Sequence, residues 1–202
     1  MLRQFYYQFL PYRSFFAPFL LVTAFVVPCW LIFRLYRLRT RGERLSITRE
    51  FVLLTAAVYV AGLCVATLTP NRSDRLLAQG RGGIELRPNV ASLTCSAALL
   101  PAEGSARGFC LHNAKGNAAL FFPLGILLPL IWRRLRFWKG VQIAIALSIT
   151  IELVQYFSSA WGSYRAADIN DVILNVAGAS LGLALVFLLR LATGRRPVAA
   201  HT

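Results

Sequence analysis

The stretch VILNVAGASLGLALVFLL, residues 172–189, decides the fold because it runs for 18 residues without a charge. At 1.5 Å per residue, such a helix is about 27 Å long, close to the roughly 30 Å hydrocarbon core of a bilayer. The stretch therefore predicts a membrane-spanning helix. Four further stretches predict the same, namely Phe15–Phe33, Phe51–Leu68, Ala118–Trp132 and Val141–Phe157. The predicted fold class is all-α, a polytopic membrane helical bundle of about five transmembrane helices.

The composition of the 202-residue chain nearly excludes a soluble enzyme. Hydrophobic residues make up 57% of the chain and charged residues only 15%, which is too little polar surface to cover a soluble globule of this size. Lys and Arg number 22 against 8 Asp and Glu, and many of them lie between the apolar stretches, as in the loops of a membrane protein. We therefore predict membrane lipids, and no nucleic acid, as partners.

The orientation in the membrane follows from two short basic connections. Short loops rich in Lys and Arg face the cytoplasm. One such loop follows the first span and the other joins the third span to the fourth; their basic residues are Arg34, Arg37, Arg39, Arg41, Arg44 and Arg49 in the first, and Arg133, Arg134, Arg136 and Lys139 in the second. The predicted topology is N-out and C-in, for a multi-pass protein of the cell (plasma) membrane.

The spans and their connections divide the chain into five segments. We expect residues 1–14 to form an aromatic interfacial segment, and residues 15–68 to hold two transmembrane helices with the Arg-rich cytoplasmic loop between them. Residues 69–116 are expected to be extracytoplasmic, irregular or with one short helix. A three-helix region then covers residues 117–190, and residues 191–202 form a cytoplasmic tail.

Polar residues of the last three spans are predicted to meet at the outer half of the membrane. Charge in hydrocarbon costs about 2.5–3.5 kcal/mol per central residue, so each polar group needs a partner or a task. The candidate ligand-binding residues are Asn117, Glu152, Gln155, Arg165, Asp168, Asp171 and Asn175. Asp168, Asp171 and Asn175 share one helical face if the helix begins by Asp168.

Structural alternatives stand beside the ligand-binding interpretation of these residues. Asp168 or Asn170 could cap the last helix, and Asp171 could sit at the positive end of its dipole. Glu152 and Gln155 could form a buried polar clasp to Asn175 or Arg165. Arg165 could also simply extend to the interface.

Three pairs of small residues have predicted structural roles. Gly178 and Gly182 form a small-xxx-small surface on which a neighbouring helix can pack closely. Cys95 and Cys110 lie in the outer segment, where oxidising conditions permit a disulfide across a separation of 15 residues. Cys29 and Cys64, inside predicted spans, are expected to be packing residues.

The sequence resembles the VanZ-like family in three elements that occur in the expected order. These are NAALFFPLGILLP from Asn117, Glu152-x-x-Gln155, and RAADINDVILNVAGASLG of 165–182. The resemblance covers roughly residues 113–190. It implies a small polytopic membrane protein of the cell envelope, since the family is named after a protein linked to resistance to the glycopeptide teicoplanin. It implies no particular reaction, and it does not make glycopeptide resistance the task of this chain.

Several functions remain open at this point. The preferred hypothesis is a non-enzymatic envelope protein that binds a lipid, a lipid-linked wall precursor or a lipoglycopeptide at the outer-leaflet polar site. An intramembrane enzyme would use Glu152, Asp168 and Asp171 on lipid phosphates, with or without a divalent ion. A transporter would use Glu152 as its titrating group, and a purely structural role and a homo-oligomer are also open. The sequence identifies no cofactor and no metal.

Overall fold

Five of the helices that the structure describes are long and apolar enough to cross a membrane. The computed structural model describes residues 13–41, 46–68, 83–96, 104–158 and 167–194. Most of the interfacial segment 1–14, the candidate residue Arg165 and most of the tail after Leu191 lie outside these ranges. The chain divides near residue 75 into two units, which are described separately.

The N-terminal unit consists of two long helices, α1 (Arg13–Arg41) and α2 (Ile47–Leu68). An ion pair joins them, because Arg34 Nε donates to Glu50 Oε2 at 2.7 Å and a second guanidinium nitrogen contacts Glu50 Oε1. Further along, Gly62 of α2 faces the ring of Phe19 on α1, which leaves little room for a larger residue there. Both helices are longer than the apolar runs that predicted them, because polar residues extend each helix past the hydrocarbon segment.

The second unit contains three long helices and a small cap. Its elements are β1 (Ile84–Glu85), α3 (Val90–Thr94), α4 (Gly104–Ile131), α5 (Phe137–Ser158), β2 (Ala167–Asp168) and α6 (Ile169–Ala192). The two short strands pair in parallel, with Ile84 opposite Ala167 and Glu85 opposite Asp168. Residues 83–96, called the cap segment below, are thereby joined to the start of α6.

Helix α6 packs against α4 with almost no space between the two backbones. A Cβ atom added to Gly178 would overlap the carbonyl of Ala118, and one added to Gly182 would overlap that of Phe122. From the other side, a Cβ on Gly125 would overlap the backbone of Ala179. Small residues at these positions allow the close helix approach on which packing in membranes depends. Gly178 and Gly182 therefore both lie in the α4–α6 contact.

Helix α4 begins 14 residues before the apolar run that predicted the third span. Its first part, GSARGFCLHNAKG, contains Arg107 and Lys115, so hydropathy alone assigned it to the polar outer segment. The structure shows instead that one helix continues from Gly104 to Ile131 with Pro123 and Pro129 inside it. The extension is stabilised by contacts of its polar side chains with α6, described next.

Candidate functional site

The start of α6 meets polar groups from α4, from α5 and from the cap segment, and this region is called the polar end below. Asp171 lies in the first turn of α6, where a carboxylate interacts favourably with the positive end of the helix dipole. Its Oδ1 accepts hydrogen bonds from Asn113 Nδ2 at 3.1 Å and from Asn117 Nδ2 at 2.5 Å. The two asparagines are four residues apart on α4 and so lie on one face of that helix.

Asp168 is the N-cap of α6. Its backbone is extended, with φ −118° and ψ 121°, and its side chain accepts from the Asn170 backbone N–H at 2.8 Å and from Asn170 Nδ2 at 2.9 Å. Asn170 is buried, and its Oδ1 accepts from the Asn89 backbone N–H at 2.9 Å. Asn89 in turn caps α3 through hydrogen bonds to two backbone N–H groups. A continuous set of hydrogen bonds therefore links the cap segment to the start of α6.

Glu152 is the most buried carboxylate at the polar end. It is only 6% exposed, although it lies on α5, one of the membrane-crossing helices. Its Oε2 accepts the backbone N–H of Asp168 at 3.1 Å. A buried carboxylate is stabilised by such N–H donors, because an unpaired charge would carry the full cost of desolvation. Glu152 thus fixes the chain where it enters α6.

One helical turn below Glu152, α5 and α6 meet through a buried polar pair. Asn175 Nδ2 donates to Ser148 Oγ at 3.0 Å. Ser148 is fully buried and Asn175 is 3% exposed. The Oδ1 of Asn175 has no hydrogen-bond partner among the described residues. This pair is an interhelical hydrogen bond of the kind that joins membrane helices.

A disulfide joins the cap segment to α4. Cys95 follows α3 and Cys110 lies in the first part of α4, with their Cα atoms 5.7 Å apart. Cys95 adopts a left-handed conformation with φ 49° as the C-cap of α3. The polar end is therefore held by a covalent link as well as by hydrogen bonds.

Comparisons with known proteins identify the family. A family model described as VanZ/LLP1 matches residues 23–190. The chain belongs to the VanZ/LLP1 family. Protein VanZ of Enterococcus faecium is 35% identical over 69 residues, which are 34% of this chain and 40% of that relative. No solved structure matches the chain. Family membership and the five apolar helices together make this VanZ/LLP1 chain a multi-pass membrane protein.

The structure brings most of the predicted site residues of this VanZ/LLP1 protein to the polar end. Asn117, Glu152, Asp168 and Asp171 take part in the hydrogen bonds given above. Gln155 is buried one turn beyond Glu152, and its backbone carbonyl accepts from the Ser158 hydroxyl at 2.7 Å. Arg165 lies outside the described residues, so its predicted place in the cluster is still a prediction.

Two details of the predicted arrangement are different. Helix α6 begins at Ile169, so Asp168 is a cap and does not share a helical face with Asp171. Asn175 and Asp171 are four residues apart on α6, yet their side chains meet different neighbours. Asp171 bonds to α4, whereas Asn175 pairs with Ser148 of α5 and not with Glu152.

Three residues that make these polar contacts, Asn113, Ser148 and Asn89, were not predicted from the sequence. Asn113 was detectable, because it lies four residues before Asn117 and shares its helical face. Ser148 was also detectable, since Ser148, Glu152 and Gln155 repeat at spacings of four and three. Asn170 was predicted only as a possible cap of α6; its bond to Asn89 could not be predicted, because the two residues are 81 apart.

Two carboxylates of the polar end make structural contacts. Asp168 is used as a helix cap and Asp171 holds two amides, so each of these carboxylates has a structural role. Among the described residues, no three His, Cys, Asp or Glu side chains lie close enough to hold a metal ion. The exposed part of the cluster is the Asn113–Asp171 contact, which lies on the surface of the α4–α6 seam.

Proposed function

We propose that this VanZ/LLP1 protein binds an amphiphile of the cell envelope at the polar end, where the headgroup contacts Asn113 and Asp171. The observation that supports this most directly is the Asp171 carboxylate, which is half-buried and bridges two α4 amides. Asn113 is exposed, and its amide oxygen makes no hydrogen bond among the described residues. An amide and a carboxylate at the surface offer both donors and acceptors to the hydroxyl, amide or amine groups of a headgroup.

The helices also expose apolar side chains near the polar end. Near the polar end, α5 exposes Leu153, Val154 and Phe157. On α6, Ile173 is exposed two residues after Asp171. These side chains are available to the acyl chains of a ligand whose headgroup is held by the polar groups. A membrane lipid, a lipid-linked wall precursor and the acylated part of a lipoglycopeptide all fit this description.

We also propose that the polar end lies at the outer face of the plasma membrane, with the N-terminus outside and the C-terminus inside. The arginines of the two short connections support this topology through the positive-inside rule. The Cys95–Cys110 disulfide supports it independently, because structural disulfides persist in oxidising compartments.

Native mass spectrometry of the full chain in a mild detergent tests the ligand. We expect a co-purifying lipid that is reduced several-fold in Asn113→Ala and in Asp171→Asn. Thr150→Ala is the matched control, because Thr150 is exposed on α5 and its hydroxyl bonds only to the backbone of its own helix. The same lipids at the same occupancy in all four proteins would contradict the proposal.

Cysteine labelling tests the topology separately. In a background with Cys29→Ser and Cys64→Ser, we introduce either Lys115→Cys near the polar end or Lys139→Cys at the opposite end; both positions are exposed. An impermeant maleimide should label Lys115→Cys in intact cells and Lys139→Cys only after permeabilisation. The reverse pattern would overturn the orientation and leave the lipid measurement unaffected.

A further inference from the structure

The connection between α4 and α5 and the first residues of α5, together residues 132–139, form a concentrated positive surface that is called the basic turn below. Four of its side chains are cationic and exposed: Arg133, Arg134, Arg136 and Lys139. Among the described residues, none of the four pairs with a carboxylate. Under the positive-inside rule these residues orient the chain in the membrane. Exposed cations this close together create a local positive potential that attracts anions.

Two tryptophans flank the positive charges. Trp132 is 53% exposed and Trp138 is 74% exposed. Tryptophan is enriched where a membrane protein meets the headgroup region, because its ring is apolar and its N–H can donate to polar groups. The basic turn therefore combines cations and interfacial aromatic side chains within eight residues.

The basic turn is held in place by contacts to α6. The Arg190 guanidinium donates to the backbone carbonyls of Pro129 and Arg133. The ring of Phe137 packs edge-on against Phe187, with centroids 5.8 Å apart. The cations of the turn are thus displayed on a fixed backbone, which lowers the entropy lost when they bind a ligand.

The length of α6 sets the distance between the basic turn and the polar end. Asp171 and Arg190 are 19 residues apart on one helix, a rise of about 28 Å. That distance is close to the roughly 30 Å hydrocarbon thickness of a bilayer. When the polar end lies at one membrane face, the basic turn lies at the headgroups of the other.

We propose that the basic turn binds the anionic headgroups of phospholipids in the leaflet that it faces, with phosphatidylglycerol as the model ligand. Charge complementarity supports this occupant, because clusters of four or more basic residues next to a membrane helix attract anionic lipids. Arginine suits a phosphodiester, since its planar guanidinium donates two parallel hydrogen bonds to phosphate oxygens. The site is separate from the proposed headgroup site at Asn113 and Asp171.

Fluorescence quenching by brominated lipids tests this proposal on the full chain. In a Trp30→Phe and Trp161→Phe background, emission comes from Trp132 and Trp138 at the basic turn. We reconstitute this protein in phosphatidylcholine bilayers that contain either brominated phosphatidylglycerol or brominated phosphatidylcholine. The relative binding constant, which is the binding constant for phosphatidylglycerol divided by that for phosphatidylcholine, should be about ten. High salt should bring it closer to one.

Two triple variants of equal charge separate this site from a general charge effect. Replacing Arg133, Arg134 and Arg136 by Gln should bring the relative binding constant close to one. Replacing the exposed Arg87, Arg107 and Lys115 by Gln, which lie in the cap segment and the first part of α4, should leave it unchanged. An intact Cys95–Cys110 disulfide and an unchanged circular dichroism spectrum verify folding. Equal quenching by both lipids in the parent, or a preference that survives the first triple variant, would overturn the proposal.

Discussion

Helix α6 meets its two neighbours in opposite ways. Toward α4 its glycines bring the backbones into direct contact, as at Gly178 against Ala118. Toward α5 it uses buried polar groups, as in the Asn175–Ser148 pair and the Glu152 bond to the Asp168 N–H. Close backbone packing tolerates no added atom, whereas a side-chain hydrogen bond tolerates replacement when both partners are changed. The contact of α6 with α4 therefore depends on backbone distance, whereas its contact with α5 depends on matched side-chain partners.

The largest expected effect is on the α4 side. Gly178→Ala places a Cβ against the Ala118 carbonyl, which is backbone and cannot rotate away. Forcing the helices apart should destabilise the protein by about 3 kcal/mol or more. SDS titration of the protein in dodecyl maltoside micelles, followed by circular dichroism, measures this loss.

Gly116→Ala is the control for that substitution. Gly116 lies on the same α4 helix as Ala118, and a Cβ there meets no atom within 4 Å. Alanine should therefore stabilise the helix by about 0.5–1 kcal/mol. Equal losses in Gly178→Ala and Gly116→Ala would show that helix packing at Gly178 is not tight.

A smaller effect is expected where the α4 contact becomes polar. Asp171→Ala leaves the amides of Asn113 and Asn117 without their shared acceptor, and loss of charge-assisted hydrogen bonds should cost about 2 kcal/mol. Asp171→Asn keeps an acceptor oxygen but loses the charge, so it should cost less. The same SDS titration compares the two variants, and a greater loss in Asp171→Asn would contradict the hydrogen-bond geometry.

The α5 side should respond differently, because its contact is a pair of side chains. Ser148→Ala removes the acceptor of the buried Asn175 amide and should cost about 1 kcal/mol. The double change Ser148→Ala with Asn175→Leu removes both polar groups and should recover most of this loss. A double-mutant cycle measures the coupling, and purely additive effects would show that the two side chains do not interact.

The contrast between the two sides also explains what the sequence could predict. The five membrane helices follow from apolar runs, because hydropathy and helix length are local properties. The stripe of Asp171, Gly178 and Gly182 also follows from helical spacing. The spacing does not say which neighbour each residue contacts: Asp171 bonds to α4, and Asn175, four residues later, pairs with α5.

The polar end could be predicted only as a set of residue types. Glu152 and Asp171 were identifiable, because carboxylates in apolar segments need partners. Their partners were not identifiable, because the Asn117–Asp171 bond joins residues 54 apart and the Glu152 bond goes to a backbone N–H. The start of α4 was missed for the same reason, since tertiary contacts stabilise a segment that is too polar to show in a hydropathy pattern.

The smallest expected effect is at the last turn of α6, where α4 is again the partner. The last carbonyls of any helix lack intrahelical donors. Arg190 supplies a donor to the carbonyl of Pro129 near the end of α4 and another to that of Arg133 in the basic turn. Arg190→Gln should therefore cost about 0.5–1 kcal/mol in the SDS titration. Arg136→Gln removes the same charge from an exposed side chain of the basic turn, so it should leave stability unchanged. Equal losses of stability in both variants would show that positive charge at this end contributes to stability and that the hydrogen bond from Arg190 to α4 does not. The contact between α4 and α6 would then depend on its glycines and on Asp171 alone.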